Sequence, residues 1–210
     1  MIEKTILQND YVRLEPLDPQ HREGLFAASA PEIWQHMPLR VARLEDIDQF
    51  IEEAAQVYAN GEGVGFAVMD RVTEAVVGST GFYNYIPQNK RIEIGFTWYT
   101  PNSQRSPVNT SCKFLLLQHA FEILDVNRVE FKTDSLNLRS RRALARLGAT
   151  EEGTLRAHVV QPDGRLRHSV YFSILKTEWP AIRGRLSGFL ARQPLPCGEE
   201  TGRRSNDKKT

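Results

Sequence analysis

RIEIGFTWYT (residues 91–100), PNSQRSPV (101–108) and NTSCKFLLLQHAFEIL (109–124) follow one another without interruption, and their reading decides the fold. In the first piece Ile92, Ile94 and Phe96 alternate with Glu93, Gly95 and Thr97, and Trp98-Tyr99 adds aromatic strand formers, so the spacing predicts a strand. The second piece is polar, is bracketed by Pro101 and Pro107, and reads as a loop. In the third, Leu116, Ala120, Ile123 and Leu124 make a helical apolar stripe that Phe114, Leu115 and Leu117 widen, which predicts a largely buried helix with Asn109 as its N-cap. A buried strand feeding a helix start offers unpaired N–H groups and the positive end of a helix dipole, where phosphate binds well. An ordinary strand–helix connection has the same local pattern.

Outward from this stretch the elements fall into order. Residues 11–17 predict an opening strand, 19–30 a short helix, and 44–60 a longer helix with Ile47, Phe50, Ile51, Ala54 and Val57 on one face and Gly61 as its stop. The link at 31–43 carries Trp34, His36 and Met37, which can line a pocket or plug a core edge. Residues 65–70 and 75–83 read as a hairpin, and Gly78 and Gly81 inside its second strand predict a bulge or a close backbone approach. Beyond the central helix come a strand at 128–134, a helix at 138–147 closed by Gly148, strands at 149–158 and 168–175 around Pro162-Asp163-Gly164, and a last helix at 177–192. Antiparallel neighbours followed by one crossover predict a mixed α/β fold: a single domain over residues 1–192 whose mixed sheet carries helices on both faces. From 193 to 210 the chain is polar and Pro/Gly-containing, and reads as a disordered tail.

Composition narrows the function classes. The 210 residues are 40% hydrophobic and 25% charged with a net charge of +1, which suits a globular protein and gives no electrostatic case for nucleic acid or an anionic membrane. No apolar run approaches the roughly 20 residues of a membrane span. The first ten residues lack the apolar segment of a signal peptide, and Cys112 and Cys197 have no metal-like spacing, so a reducing, cytoplasmic setting is expected. The five histidines show no metal spacing either, and His119, in an apolar helix, reads as a satisfied core residue.

The element order resembles that of the GNAT acyltransferases, in the branch that contains the ribosomal-protein N-terminal acetyltransferases. The words that carry the resemblance are VRLEPL (12–17), VVGSTGFYN (76–84), RIEIGFTW (91–98), NTSCKFLLLQHAFE (109–122) and RVEFKTDSLNLRSRRALARLGATEEGTLR (128–156). The resemblance implies that acetyl-CoA lies in a V-shaped opening between the strands at 91–99 and 128–134. It implies no metal, and a protein that acts on an amine acceptor as a monomer or homodimer. The implied cofactor contacts are Phe96, Thr97, Trp98, Gln104, Arg105, Ser106, Pro107, Val108, Asn109, Thr110, Asn137, Ser140 and Arg141. The family loop reads Gln/Arg-x-x-Gly-x-Gly/Ala. Here Pro107 replaces one small residue and removes an N–H, and Asn109 replaces the other. A GNAT-like module that binds CoA without transferring it is therefore an alternative to an enzyme.

Acetyl transfer to an amine requires deprotonation of an ammonium, polarisation of a thioester carbonyl and a proton for the leaving thiolate. By the resemblance Glu93 is the first candidate base. An exposed strand carboxylate reads the same way, and Glu130 on the neighbouring strand is the runner-up base, with a solvent-facing position as its stronger reading. Ser140, in the Asn-x-x-Ser word 137–140, and Tyr171 are the candidate acids. Asn137 and Ser140 also suit plain helix capping. Backbone N–H groups near a bulge at 96–98 would polarise the carbonyl. Trp34, His36, Tyr83, Tyr85 and His158 are candidates to contact the acceptor, either a protein N-terminus or a small amine.

Overall fold

The computed structural model describes residues 2–193. An eight-stranded mixed sheet runs through the chain in the order β1-β2-β3-β4-β5-β6-β8-β7. The strands are β1 (Leu7–Gln8), β2 (Val12–Pro16), β3 (Val64–Asp70), β4 (Val76–Ile86), β5 (Arg91–Tyr99), β6 (Arg128–Asp134), β7 (Thr150–Val160) and β8 (Leu166–Leu175). The helices are α1 (Arg22–Ala28), α2 (Leu44–Ala59), α3 (Pro107–Gln118), α4 (Leu138–Leu147) and α5 (Trp179–Leu190). All neighbours pair antiparallel except β5 and β6. The expected tail, Gln193 apart, lies outside the described residues.

Each face of the sheet buries its own helices. On one face Ile92, Ile94, Val129 and Phe131 join Leu116, Leu117 and Phe121 from the α3 region and Trp179 and Leu186 from α5 in one core. On the other, Ala67 and Trp98 pack with Leu25, Trp34, Ile47, Phe50 and Ala54. The helix ends follow their capping chemistry. Asn137 Oδ1 accepts the Ser140 N–H at 3.0 Å, and Gly148 closes α4 at φ 99°, a conformation that costs a Cβ-bearing residue about 1 kcal/mol.

Two boundaries differ from the sequence reading. The cap of α3 is Ser106, whose Oγ accepts the Val108 N–H at 3.2 Å, and not Asn109. Pro107 then occupies the first helical position, where its fixed φ fits and its missing N–H breaks no helical bond. The first expected helix begins as a 3-10 turn at Pro19–His21 before α1.

What positions the site is the end of the β5–β6 pairing. The parallel register holds for Arg91↔Arg128, Ile92↔Val129 and Glu93↔Glu130 and then stops. On the other side of β5 the partners pass from Gly81↔Gly95 to Ser79↔Trp98, so Phe96 and Thr97 stand against Thr80 alone. This is a bulge, and Phe96 takes φ 46° within it. Beyond it β5 diverges from β6.

The glycines of β4 permit close backbone approach on both sides. A Cβ on Gly78 would stand 2.1 Å from the Trp98 carbonyl oxygen of β5, beside the bulge, and one on Gly81 would stand 2.8 Å from the Val64 oxygen of β3. Neither neighbour is a side chain that could move aside. Gly78→Ala is therefore expected to destabilise the fold by about 2 kcal/mol or more. Equilibrium urea unfolding checks this, and a loss below about 0.5 kcal/mol would mean that β4 and β5 can part without penalty.

Candidate active site

A cleft of about 890 Å³ opens where β5 and β6 diverge. Its walls come from the bulge of β5, the C-terminal end of β6, the first turns of α3 and α4, the 3-10 turn around His36, and Arg167 of β8. The sequence-derived residues Phe96, Thr97, Trp98, Gln104, Arg105, Ser106, Pro107, Asn109, Thr110, Asn137 and Ser140 all line it.

One end of the cleft is basic. Arg105, Arg139, Arg142 and Arg146 line it beside the start of α3. The Val108 N–H is taken by the Ser106 cap, which leaves Asn109, the third residue of α3, with an N–H that has no intrahelical partner. Arg139 donates to Gln104 Oε1, Gln104 Nε2 donates to the Tyr99 carbonyl at 3.2 Å, and Arg146 donates to Thr110 Oγ1 at 3.1 Å. These bonds tie the loop after β5 to α4. The donor set of guanidinium groups and a helix N-terminus fits the phosphates of a nucleotide.

At the middle of the cleft lies Lys113, which sequence reasoning missed. It is 4% exposed, donates to Thr97 Oγ1 at 2.7 Å, and stands 3.4 Å from Thr80 Oγ1. Both threonines belong to the bulge. Burial pushes its ammonium down to about 8. The signal was present: a single lysine inside a helix that reads as buried on most sides.

Glu93 is buried, unlike a strand residue turned to solvent. Its Oε2 accepts from Asn84 Nδ2 at 2.8 Å and pairs with Lys132 Nζ at 3.1 Å. Its Oε1 lies 3.1 Å from where a Cβ on Gly95 would sit, so the missing side chain of Gly95 gives this oxygen its place next to the cleft wall. Glu130 corrects the sequence reading. Its side chain is 12% exposed and is bound by Arg91 at 2.9 Å and Arg128 at 2.8 Å.

Several residues named from the sequence stand elsewhere. Val108 is part of the core, and Arg141 pairs with Glu151 at 3.1 Å. Trp34 packs edge-on to Trp98, with centroids 5.1 Å apart, in the core position that was one of its two readings. Tyr83 is buried with its ring 4.8 Å from that of Phe96, and its unpartnered hydroxyl is pushed well above the usual tyrosine range by burial and by Glu93. Tyr85 packs half-buried on the α3 side of the sheet. Tyr171 pairs with Lys132 across β6–β8 and meets His158 edge-on at 5.9 Å. His158 is exposed on β7, with Nδ1 3.0 Å from Ser169 Oγ. His119 is half-buried against Phe82, and no side-chain hydrogen bond holds it among the described residues.

The cleft wall also holds a charged cluster that the sequence did not announce. Asp134 is buried, accepts from Arg165 at 2.6 Å and from the Leu136 N–H at 3.0 Å, and stands 3.4 Å from His36 Nδ1. Burial works to raise its carboxyl, but the hydrogen bonds from Arg165 and Leu136 outweigh it, so it is held below the usual carboxylate range. Arg167 lies beside this group in the cleft wall. No group of three or more metal-ligating side chains occurs among the described residues, and none of their helices is long and apolar enough to cross a membrane.

Lys113 generates a pH prediction. Its folded-state value of about 8 lies below the ordinary lysine value of about 10.4. Between these pH values the unfolded chain binds more protons, so this group adds stability as pH rises. The stability difference between wild type and Lys113→Met is expected to shift in favour of wild type by up to about 3 kcal/mol from pH 8 to 10.5, read by urea unfolding. A difference independent of pH would place the ammonium in water.

Comparison with known proteins agrees with this geometry. Residues 12–150 match the family model described as an acetyltransferase (GNAT) domain. The crystal structure of a GCN5-related N-acetyltransferase from Brucella melitensis superposes with a TM-score of 0.85 at 33% identity, covering 91% of this chain and 87% of that one. A putative ribosomal N-acetyltransferase of Bacillus subtilis, YdaF, is 31% identical over 105 residues, 50% of this chain and 56% of its own length. Mycobacterium smegmatis RimJ, solved in complex with CoA-disulfide, shares the fold at a TM-score of 0.75 and 19% identity over 88% of this chain and 93% of its own. With its mixed sheet, its splayed parallel pair and a family match over residues 12–150, the chain belongs to the GNAT acetyltransferase family.

Proposed function

We propose that this protein transfers the acetyl group of acetyl-CoA to a primary amine by direct attack within the cleft. The observation that carries the reading is one cleft lined at once by arginines beside the start of α3, by the bulge of β5 and by the charged side chains Lys132, Asp134 and Arg167. Bound acetyl-CoA supplies an activated thioester. The arginines 105 and 142 and the Asn109 N–H hold phosphate at the basic end. Asn137 uses Oδ1 to cap α4, which leaves its Nδ2 for the pantetheine arm, and the Ser140 hydroxyl is placed to give a proton to the leaving thiolate. Backbone N–H groups of the bulge polarise the carbonyl oxygen. Glu93 Oε1 takes the ammonium proton through a water over Gly95. A water-free direct transfer is less suited to a carboxylate already bonded to Asn84 and Lys132.

Pro107 at the first helical position leaves the start of α3 intact, so it supports CoA binding, which the enzyme and the inert CoA-binding module share. The test is acetyl-CoA-dependent thiol release with a panel of primary amines. Turnover with at least one amine is expected, whereas tight binding of CoA with no turnover would favour the inert module. Glu93→Gln is expected to lower kcat about 100-fold and to remove the acidic limb of the kcat/KM profile. An unaltered limb would assign the base elsewhere. Asn137→Ala should cost about 1 kcal/mol as a lost cap and raise the KM for acetyl-CoA; a stability loss alone would reduce it to a cap.

A further inference from the structure

Arg167 is a buried cation with no ion pair or side-chain hydrogen bond among the described residues. It is 5% exposed, its Nε has no hydrogen bond, Asp134 and Glu93 act on it only through space, and it helps to line the cleft. Asp134, the carboxylate on the adjacent strand, is already occupied by Arg165 at 2.6 Å. A buried charge left unpaired is costly, so a site that retains one has a use for it. Gln161 is a second case on the same hairpin. It is 4% exposed, and neither its Nε2 nor its Oε1 has a partner.

Register places these groups on one side of the sheet. β8 pairs Lys132↔Tyr171 and Asp134↔Ser169 with β6, and alternation puts Arg167 on the same face as Ser169 and Tyr171. Val159↔Arg167 pairing on β7 carries that face to Gln161, whose N–H donates to the Arg165 carbonyl at 2.9 Å. Lys132 in turn holds Glu93. Lys132, Arg165 and Arg167 set against Glu93 and Asp134 give three cations and two carboxylates, an excess of one positive charge. None of the three cations is an arginine of α4, and none bonds to the loop after β5 or to α3.

We infer that Arg167 clamps a carboxylate of the acceptor, so that the substrate is an amine bearing a carboxylate. A guanidinium presents its donors as a fork that matches a carboxylate. This rests on the acetyltransferase reading and names the acceptor class within it. The carboxylate has two sources, the α-carboxylate of a free amino acid or an acidic side chain at the start of a peptide.

The test compares paired acceptors that differ in the carboxylate: an amino acid against its decarboxylated amine, and a tripeptide beginning with aspartate against one beginning with asparagine. The carboxylate member of one pair is expected to have a kcat/KM about 10- to 100-fold higher, carried by KM, and the pair that shows it identifies the source. Arg167→Gln should reduce this preference to within about threefold and Arg167→Lys should keep part of it, with CoA affinity unchanged by calorimetry and both variants folded by thermal melting. No preference in either pair, a preference that survives Arg167→Gln, or a loss of CoA affinity would overturn the inference. The same pairs are titrated calorimetrically into protein saturated with CoA, which reads the clamp without turnover. Absent turnover with discriminating binding counts against the acetyltransferase reading alone, and absent discrimination in binding counts against the clamp.

Discussion

Two residues of β5, Phe96 and Thr97, are set against the single Thr80 of β4, and the cleft depends on that mismatch. A bulge adds twist and bends its strand, and here β5 leaves β6 after three parallel pairs. Side chains from α3 and α4 line the gap instead of a fourth rung of the ladder. Thr80 and Thr97 are 2.7 Å apart at their hydroxyls, and Lys113 donates to Thr97, so the polar side chains at the bulge satisfy one another. The bulge is held on one side by backbone contact through Gly78 and on the other by the Trp34–Trp98 and Tyr83–Phe96 aromatic pairs.

The charges of the cleft fall into two groups. Arginines of the loop and α4 line it beside the start of α3, and Lys132, Asp134 and Arg167 line it with Glu93 and Arg165, the partners of Lys132 and Asp134, behind the wall. Most of these ions are bonded in pairs, which fixes their side chains before any ligand arrives and lowers the ordering cost of binding. The Asn109 N–H, which precedes the first intrahelical bond of α3, and Arg167, whose Nε has no partner among the described residues, are the groups with capacity left for a ligand.

Much of this was legible in the sequence, for reasons that differ by element. Alternation in β5 and β6 and the stripe on α2 follow from burial on a fixed period, and Gly78 and Gly81 marked close backbone approach, to β5 and to β3, because no side chain fits there. The α3 cap was misread as Asn109, although the preference of proline for the first helical position points to Ser106, which the structure shows as the cap. The cleft wall at 104–110 came from resemblance joined to helix-end chemistry. Lys113 and Arg167 were not read, since a long cation in an amphipathic segment normally reaches water, and only the packing of β4, β6 and β8 around them closes that route. Arg141 and Glu151 illustrate the converse: residues of α4 and β7 that a motif cannot pair, but a folded sheet edge can.

The central claim is that the opening beside the bulge holds acetyl-CoA, and calorimetric titration of acetyl-CoA into the full chain tests it most directly. The account predicts one site of micromolar affinity, on the order of −8 kcal/mol, with a matching rise in melting temperature. No heat and no thermal shift would contradict it, because the helix start and the arginines would then not form a phosphate site.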